Sequence, residues 1–473
     1  MQLLLAWAGS TMEAYPRPAD TSLKRIAMND ERPPSLTSLG RICDEPYGFW
    51  LDSALADDRL GQNSFWGTDP FLILRSSGTA IELWTRGGTH RFSGSPFETL
   101  RQLLRDYHHM GPAWGASGGA VGYFAYELKR FVEKLPQHAA DDLGLPECYL
   151  CFYKSIARFD PRPLAPAGSA VPRHSPIDST DVPPSSFTSA GYKGAVQRVR
   201  DYIFAGDIYQ ANLSQRFHLP LMDSPFDVYL QLRSHNPAPF SAYINLPEVQ
   251  LLSASPERFL RFDPGNRRLQ TRPIKGTRPR GRTEEEDEAL ARKLLASEKD
   301  RAENVMIVDL ERNDLGRVAE IGSVRVTELA SLETLPTVFH LASTVEATLR
   351  EDRDVVDLLL ATFPGGSITG APKIRAMEII DELEPTARSV YTGAIGYLGF
   401  DGSIDLNIAI RTILVRHGVA YFQAGGGIVA DSDPEMEYQE TLHKASALRD
   451  VLIGSGLPDT NGVRPYAVDI SER

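Results

Sequence analysis

The sequence predicts an α+β fold with two related halves, each carrying a sheet. Strand-like and helix-like segments come in blocks without regular βα alternation. Gly118-Gly119-Ala120-Val121-Gly122-Tyr123 is echoed later by Thr392-Gly393-Ala394-Ile395-Gly396-Tyr397, and this shared strand suggests a duplication. Asp401-Gly402 and His417-Gly418 separate three apolar runs at 391–400, 403–415 and 419–424, which predicts an antiparallel meander.

Composition divides the chain into five parts. Residues 1–37 form an irregular extension that ends in Arg32-Pro33-Pro34-Ser35, and 456–473 form a C-terminal tail. Residues 159–186 are rich in Pro, Ser and Ala, a composition that buries too little surface to order itself and predicts an exposed linker or loop. This stretch separates an N-terminal α+β lobe at 38–158 from a larger unit at 187–455.

Capping signals place three helices in the larger unit. Thr283 with Glu286 and Ser297 with Asp300 have the spacing of a capping box, which predicts a helix after each. Asp433-Pro434 is an N-cap followed by a first-turn proline, and Gly454 is a plausible stop for the last helix.

Charge and cysteine usage exclude several classes of protein. The chain carries 62 acidic against 50 basic residues, a formal charge of -12, so nucleic acid is not an expected partner. The sequence contains no apolar stretch of the roughly 20 residues that would span a bilayer. Three cysteines cannot form a disulfide framework, which suits the cytoplasm, and Cys148-Tyr149-Leu150-Cys151 is interpreted as a buried strand, since the residues that would complete a zinc site do not follow.

The last helix carries the clearest chemical signal. Glu437, Glu440 and Lys444 share one face, and Leu448 and Val451 continue this face as an apolar stripe. The helix therefore presents charges towards the interior, where they need partners or a metal ion. A solvated face with salt bridges is the alternative. With Glu303, which leads into another helix, these carboxylates would suit Mg²⁺, a hard ion that prefers oxygen ligands.

Glycine-rich segments and one lysine add further candidates. Gly365-Gly366-Ser367-Ile368-Thr369-Gly370 precedes a helix expected near Pro372, and Gly425-Gly426-Gly427 could also offer backbone N–H groups to an anion. Taken singly, each segment is more typical of a tight turn. Lys275 stands among several arginines, and nearby cations and burial disfavour protonation of an amine, as a lysine nucleophile requires. A basic surface loop is the alternative.

Taken in order, these motifs resemble those of the chorismate-utilising enzymes, the family of anthranilate, aminodeoxychorismate, isochorismate and salicylate synthases. The resemblance is dense over 187–453 and loose before it. It implies an α+β fold whose antiparallel sheets pack face to face as a sandwich, with helices outside and the active site in a cleft between two lobes. The matching motifs are Ser255-Pro256-Glu257-Arg258, Pro273-Ile274-Lys275-Gly276-Thr277, Asp309-Leu310-Glu311-Arg312-Asn313-Asp314, Gly370-Ala371-Pro372-Lys373, Ala409-Ile410-Arg411-Thr412 and Gly425-Gly426-Gly427.

The resemblance also implies a role for each matching position. Mg²⁺ would be held by Glu303, Glu437 and Glu440 and would bind the ring carboxylate of chorismate. Glu257 would be the general acid for the departing C4 hydroxyl, and His340 matches an active-site histidine, with a purely structural histidine as the alternative. The substrate-binding positions would be Thr277, Ser367, Tyr391, Arg411, Gly425, Gly426, Gly427 and Lys444.

Two positions distinguish the members of the family. Gln210 stands where isochorismate and salicylate synthases carry a lysine base, and a neutral amide cannot activate water. Lys275 stands where anthranilate synthases typically have alanine, and a lysine here is the mark of aminodeoxychorismate synthases. The resemblance thus favours amination of chorismate at C4, with anthranilate synthesis as the alternative.

The resemblance also suggests partners. None of the three cysteines lies on a glycine-flanked nucleophile turn, so a separate glutamine amidotransferase subunit is expected to supply the ammonia. Relatives can bind tryptophan in the N-terminal unit. His235-Asn236-Pro237-Ala238-Pro239-Phe240 resembles part of that region, which leaves a tryptophan ligand open.

Overall fold

A computed structural model describes residues 33–55, 60–111, 118–164, 182–336 and 338–454. The predicted extension up to residue 32, the linker at 165–181 and the tail lie outside these ranges. Nine α-helices occur in the described parts of the chain: α1 Leu36–Asp44, α2 Pro96–Tyr107, α3 Ser189–Phe204, α4 Pro225–His235, α5 Glu284–Leu295, α6 Glu298–Gly316, α7 Val355–Thr362, α8 Lys373–Leu383 and α9 Pro434–Ile453.

The β-structure of the same ranges consists of β1 Phe49–Asp52, β2 Ser64–Gly67, β3 Leu72–Ser77, β4 Ala80–Thr85, β5 Gly88–Ser93, β6 Gly119–Phe124, β7 Cys148–Tyr153, β8 Ala157–Phe159, β9 Gln210–Pro220, β10 Phe240–Leu246, β11 Val249–Ser255, β12 Arg258–Asp263, β13 Arg268–Arg272, β14 Ile274–Pro279, β15 Arg325–Thr334, β16 Val338–Thr348, β17 Gly370–Ala371, β18 Ala394–Gly399, β19 Ile404–Ile408, β20 Thr412–Arg416 and β21 Val419–Ile428.

These strands form two antiparallel sheets. The first has nine strands in the order β17-β9-β21-β20-β11-β10-β1-β2-β8. The second has twelve strands, in the order β14-β16-β13-β12-β19-β18-β6-β7-β3-β4-β5, and β15 also pairs with β16. Strands from before and after the predicted linker occur in both sheets, so the N-terminal segment and the larger unit do not have sheets of their own.

The two sheets pack face to face, and helices cover their outer faces. One core lies between the sheets, with Ile244 and Leu414 from the first sheet against Tyr149 and Ile395 from the second. A second core joins the first sheet to α1, α3, α4, α8 and α9, and a third joins the second sheet to α2, α6 and α7. The α+β sandwich that the sequence predicts is confirmed.

The three predicted helix starts are confirmed. Thr283 and Ser297 cap α5 and α6, and each accepts a hydrogen bond from the backbone N–H three residues on, at 3.2 and 3.3 Å. The capping box at Thr283 is only half formed, because the Glu286 carboxylate accepts from the backbone N–H of Arg282 instead. Asp433 caps α9 at 3.0 Å, and that helix ends at Gly454 as predicted.

The repeated strand lies at the centre of the larger sheet. β6 and β18 are the two copies, and they pair with each other so that Gly122 lies opposite Gly396. A Cβ on Gly122 would lie 1.9 Å from the Tyr149 carbonyl oxygen, and one on Gly396 would lie 2.2 Å from that of Asp405. Both glycines are therefore required by close approach of the next strand on the other side.

The predicted meander is wrong in its middle member. The apolar run at 403–415 is not one strand, because β19 belongs to the larger sheet and β20 to the smaller one. The chain passes between the sheets at 409–411, and Arg411 has a positive φ of 49°. Neither glycine nor proline interrupts the run, so the sequence alone does not show the crossing.

Cysteines and hydropathy agree with the sequence analysis. Cys148 and Cys151 lie in the fully buried strand β7, and they and Cys43 are free thiols. No helix in the described ranges is long and apolar enough to cross a membrane.

Candidate active site

The site lies where a pair of strands passes from one sheet to the other. β11 pairs with β20 in the smaller sheet, and their continuations β12 and β19 pair in the larger one. Glu257 occupies the first crossing and Arg411 the second. Hydrogen bonds join the crossings: the Ile408 N–H donates to the Glu257 carbonyl at 3.0 Å, and the Ala254 N–H donates to that of Arg411 at 3.1 Å. The antiparallel pairing thus brings together two residues that are distant in sequence.

Arg411 continues into a short polar chain with His340 and Thr277. Its Nη2 lies 3.5 Å from His340 Nε2, and His340 Nδ1 lies 2.7 Å from Thr277 Oγ1. Burial, followed by the nearby Arg411 guanidinium, lowers the pKa of His340 well below its usual value. The imidazole is therefore neutral at physiological pH, and it can orient Arg411 without repelling it.

Asn236 supports the same guanidinium. Arg411 Nη1 donates to Asn236 Oδ1 at 3.3 Å, and burial lowers the pKa of Arg411 to about 10, which leaves it charged at neutral pH. Sequence reasoning missed this role of Asn236. The two residues are 175 positions apart, and no local pattern links them.

Lys275 and Glu257 form the central pair of the site. Glu257 is 3% exposed, and burial raises the pKa of its carboxyl group, whereas Ser367 and the Lys275 amine act in the opposite direction. Burial lowers the pKa of Lys275, against the attraction of Glu303 and Glu257. Burial therefore shifts both groups towards their neutral forms, which is the direction that a nucleophilic amine and a general acid require.

Two groups hold Glu257 in place. The backbone N–H of Ile274 donates to Glu257 Oε1 at 3.4 Å, so the segment that carries Lys275 also orients the acid. Ser367 lies in the 3-10 turn Gly366–Ile368 and is 5% exposed. Its hydroxyl lies close enough to lower the pKa of Glu257, although it makes no hydrogen bond of normal geometry. The first glycine-rich segment is thus a tight turn that carries Ser367 to the acid.

Helix α9 presents its carboxylates to the glycine strand β21. Glu437 is 8% exposed and accepts a hydrogen bond of 2.6 Å from Ser432. A Cβ on Gly426 would lie 3.2 Å from both Glu437 Oε2 and Glu440 Oε1. The missing side chain therefore leaves a small space that is faced by two carboxylate oxygens. Lys444 forms an ion pair of 2.6 Å with Glu440 and donates to the Gly425 carbonyl at 2.9 Å.

The second glycine-rich segment is not the tight turn that the sequence allows. Gly425, Gly426 and Gly427 lie inside β21 and pair with Ser214, Leu213 and Asn212 of β9. Close packing explains the flanking glycines, since a Cβ on Gly425 would lie 2.4 Å from the Leu213 carbonyl oxygen and one on Gly427 would lie 1.9 Å from Gln210 Nε2. Gln210 is buried, and its Oε1 has no hydrogen-bond partner.

Tyr391 lies against strand β9, which pairs with the glycine-containing strand β21. It is buried, its ring lies 5.9 Å from the Arg388 guanidinium, and burial raises the pKa of its hydroxyl, which lies near Ser214 and Asn212. These two residues pair with Gly425 and Gly427. The contacts of Tyr391 thus lie with β9, beside the glycines of β21, rather than with the Lys275–Glu257 pair.

Glu303 completes the predicted carboxylate set from helix α6. Burial raises the pKa of Glu303, against the attraction of Lys275 and Lys299, and Glu440 is close enough to raise it further. Lys444 lowers the pKa of Glu440, whereas burial raises that of Glu437. Each of the three carboxylates therefore lies near lysine ammonium groups, which provide the opposite charge.

These donors fit a hard divalent cation. Oxygen ligands from Glu437 and Glu440 converge on the space beside Gly426, and Mg²⁺ commonly takes one or two carboxylates and completes its shell with water and substrate oxygens. In the described ranges, no three His, Cys, Asp or Glu side chains are grouped closely enough to hold a metal ion by themselves. Such a cation would therefore need further oxygen ligands beyond the side chains.

A cavity also lies between the sheets, and Lys275 is not among its lining residues. It measures about 120 Å³ and is lined in part by Asp52, Ser53, Pro239, Phe240 and Tyr397. Pro239 and Phe240 belong to the segment that the sequence analysis connects with a tryptophan site. Whether this cavity takes a ligand stays a prediction.

Fold and site together are typical of an enzyme, because a lysine with a lowered pKa, a buried acid with a raised pKa and a cluster of carboxylates lie within electrostatic reach of one another. A family model described as chorismate binding enzyme matches residues 54–450. The chain therefore belongs to the chorismate binding enzyme family, whose members act on chorismate.

Relatives of two kinds resemble the chain. It is 46% identical to aminodeoxychorismate synthase component 1 of Salmonella typhimurium, in an alignment that covers 85% of this chain and 92% of the relative. It is also 46% identical to anthranilate synthase component 1 of Thermus thermophilus, covering 70% and 76%. The crystal structure of anthranilate synthase component I from Streptococcus pneumoniae TIGR4 matches with a TM-score of 0.71 at 32% identity, covering 84% and 94%. Overall identity does not separate the two reactions.

Proposed function

We propose that this enzyme replaces the C4 hydroxyl group of chorismate with an amino group from ammonia, to give 4-amino-4-deoxychorismate. The observation that carries the proposal is the pairing of Lys275 with Glu257, with a lowered pKa on the amine and a raised pKa on the acid. An anthranilate synthase has no step that requires this lysine. The product would be the precursor of 4-aminobenzoate and folate.

The pair supports a balanced two-step substitution. The lone pair of Lys275 attacks C2 of the ring, both ring double bonds shift by one position, and the C4 hydroxyl leaves as water with the proton of Glu257. Ammonia then adds at C4, both double bonds shift back, and the C2–N bond breaks. The Lys275 nitrogen leaves with its electron pair, and the surplus proton of the incoming ammonia returns to Glu257. The sum is chorismate plus ammonia to aminodeoxychorismate plus water.

The remaining residues bind and orient the substrate. Arg411, held by Asn236 and neutral His340, offers a guanidinium to one carboxylate, and Lys444 offers an ammonium to a carboxylate. Mg²⁺ bound through Glu303, Glu437 and Glu440 would supply positive charge for the ring carboxylate. Thr277, Tyr391 and the glycine strand would complete the substrate-binding surface, and neutral Gln210 disfavours activation of water.

Ammonia is proposed to come from a second protein. The relatives carry the name component 1, which is consistent with an enzyme of two components. A glutamine amidotransferase subunit would fill this role, because hydrolysis of an amide is the common source of ammonia for such an amination.

Product identification tests the proposal. The purified chain is incubated with chorismate, Mg²⁺ and ammonium, and products are separated by liquid chromatography and mass spectrometry. We expect 4-amino-4-deoxychorismate as the main product, and a kcat/KM lower by about a hundredfold or more in Lys275→Met, which keeps an unbranched side chain but removes the nucleophile.

Lys293→Met is the matched control, because Lys293 is exposed on α5, and its activity should equal that of the unaltered enzyme. Fluorescent anthranilate as the main product would show that the second kind of relative is the better guide. Unchanged amination in Lys275→Met would show that ammonia adds without a lysine adduct.

A further inference from the structure

The ammonium group of Lys444 occupies a carboxylate that the cation site would need. Lys444 Nζ lies 2.6 Å from Glu440 Oε1, and this same oxygen faces the space beside Gly426 together with Glu437 Oε2. A divalent cation at that space would compete directly with the ammonium group for Glu440. Without a cation, the ammonium group of Lys444 thus supplies part of the positive charge that the cation would bring to Glu440.

The carboxylate that the cation would need is already paired with an ammonium group before any ligand enters. Lys444 Nζ lies 2.6 Å from Glu440 Oε1, whereas the other nearby ammonium group, that of Lys299, pairs with Asp431 at 3.7 Å. A divalent cation at Glu440 would therefore leave Lys444 without its carboxylate, and a carboxylate of the substrate could take that place.

Lys444 has room to change partners. Its side chain is 44% exposed and that of Glu440 is 48% exposed, so neither is locked by packing. The other bond of the amine goes to the backbone carbonyl of Gly425, which remains in place on β21. Release from Glu440 would therefore turn the ammonium group from the helix carboxylates towards the open cleft.

We propose that Lys444 is an exchangeable counter-ion, which gives up Glu440 to the divalent cation and takes a substrate carboxylate instead. Cation and dicarboxylate then bind cooperatively, because the cation releases the ammonium group that the dicarboxylate binds. By reciprocity, the factor by which chorismate tightens cation binding equals the factor by which the cation tightens chorismate binding. This inference rests on the proposed cation site but not on the identity of the product.

Lys299 provides a control with the same charge. It lowers the pKa of Glu303, Glu437 and Glu440, but its ion pair is with Asp431, at 3.7 Å. Removing Lys299 therefore changes the electrostatic potential at the carboxylates without removing an exchange partner. Lys444→Met and Lys299→Met each delete one ammonium group near the same site, so any difference between them reports the exchange.

Calorimetric titration of the full chain with Mg²⁺, with and without saturating chorismate and in the absence of ammonia, tests the proposal. For the unaltered enzyme we expect chorismate to lower the Kd for Mg²⁺ by about tenfold or more. In Lys444→Met, Mg²⁺ alone should bind more tightly, and the effect of chorismate should fall below about threefold. In Lys299→Met, Mg²⁺ should also bind more tightly, but the effect of chorismate should persist.

Two results would overturn the exchange. Equal loss of coupling in both variants would show that net charge alone is responsible, and an absence of coupling in the unaltered enzyme would refute the proposal without need of any variant. Lys444→Gln repeats the measurement if Lys444→Met does not fold. Anthranilate as the product would refute the proposed function and leave these binding results unaffected.

Discussion

Glu257 and Glu311 are two carboxyl groups whose pKa is raised chiefly by burial. Glu257 borders the cleft beside Lys275, whereas Glu311 lies beneath it on α6 and accepts a hydrogen bond of 2.8 Å from Thr271. Burial raises the pKa of Glu311 to about 8, and Glu257 and Asp314 raise it further, while Thr271 and Lys373 oppose the shift. Lys373 is already engaged with Asp314. Glu311 is therefore mostly uncharged at neutral pH.

Replacing Glu311 with glutamine should remove a dependence of stability on pH. A carboxyl group with a raised folded-state pKa favours the fold fully below its unfolded value, 4.5, and this contribution is lost as pH rises towards about 8. Glu311→Gln keeps an oxygen for Thr271 and cannot ionise. We expect the variant to gain in melting temperature relative to the unaltered protein as pH rises from 5 to 8, as measured by thermal unfolding. A constant difference over this range would contradict the assignment.

Sequence analysis proposed candidate site residues more readily than the residues that support them. Glu257, Lys275 and Glu437 were identified because their local motifs resemble those of a known family. Asn236 and Glu311 were missed as supporting residues, although both lie within segments that were noticed. Their roles depend on contacts across 175 and 40 positions, and such distances leave no trace in local spacing.

Helix α9 is the element on which the carboxylate cluster depends. Glu437 lies in its first turn, directly after the cap at Asp433, and Glu440 and Lys444 follow at successive turns. The first turn of a helix frays unless its N–H groups are satisfied. The position of Glu437 therefore depends on a residue that does not itself contact the site.

Asp433→Ala should lower the free energy of unfolding by about 1 kcal/mol, because the Met436 N–H loses its side-chain acceptor. Asp433→Asn keeps an oxygen at the same place and should lie within about 0.5 kcal/mol of the unaltered protein. Denaturant-induced unfolding followed by circular dichroism compares the two variants. Equal stability of Asp433→Ala and Asp433→Asn would show that the cap contributes nothing measurable.

Elements differ in how far the sequence defines them. The starts of α5, α6 and α9 were predicted because a cap acts within four residues. The run at 403–415 was taken as one strand because turn signals bound it on both sides, and only the partner strands show that the chain changes sheets there. Local physics thus determines where a helix begins, whereas sheet membership is a property of the tertiary structure.

At the scale of the molecule, each of the two sheets contains strands from before and after the predicted linker. The paired copies β6 and β18 join the N-terminal strands to the later ones at the centre of the larger sheet. Gly122 and Gly396 face each other there, and each approaches a carbonyl oxygen of its other neighbour. Backbone pairing at this contact therefore joins the two halves of the chain within one sheet.

Gly396→Ala should destabilise the whole fold by about 3 kcal/mol or more, because its Cβ would force apart strands that cannot move independently. Gly194→Ala is the contrasting control, since Gly194 lies in α3 with nothing within 4 Å of the added carbon. That change should be neutral or stabilising by up to about 1 kcal/mol. Thermal and denaturant unfolding of both variants test the difference, and equal effects would refute this account of the central strands.

The crossing strands give the enzyme a mechanical property as well. Glu257 and Arg411 stand on two paired strands that pass from one sheet to the other, so each residue is held from both sheets at once. Hydrogen bonds from Ile408 to Glu257 and from Ala254 to Arg411 tie the two backbones together. The separation of acid and guanidinium is therefore set by the backbone, and a change in the angle between the sheets would alter it before any side chain changed its rotamer.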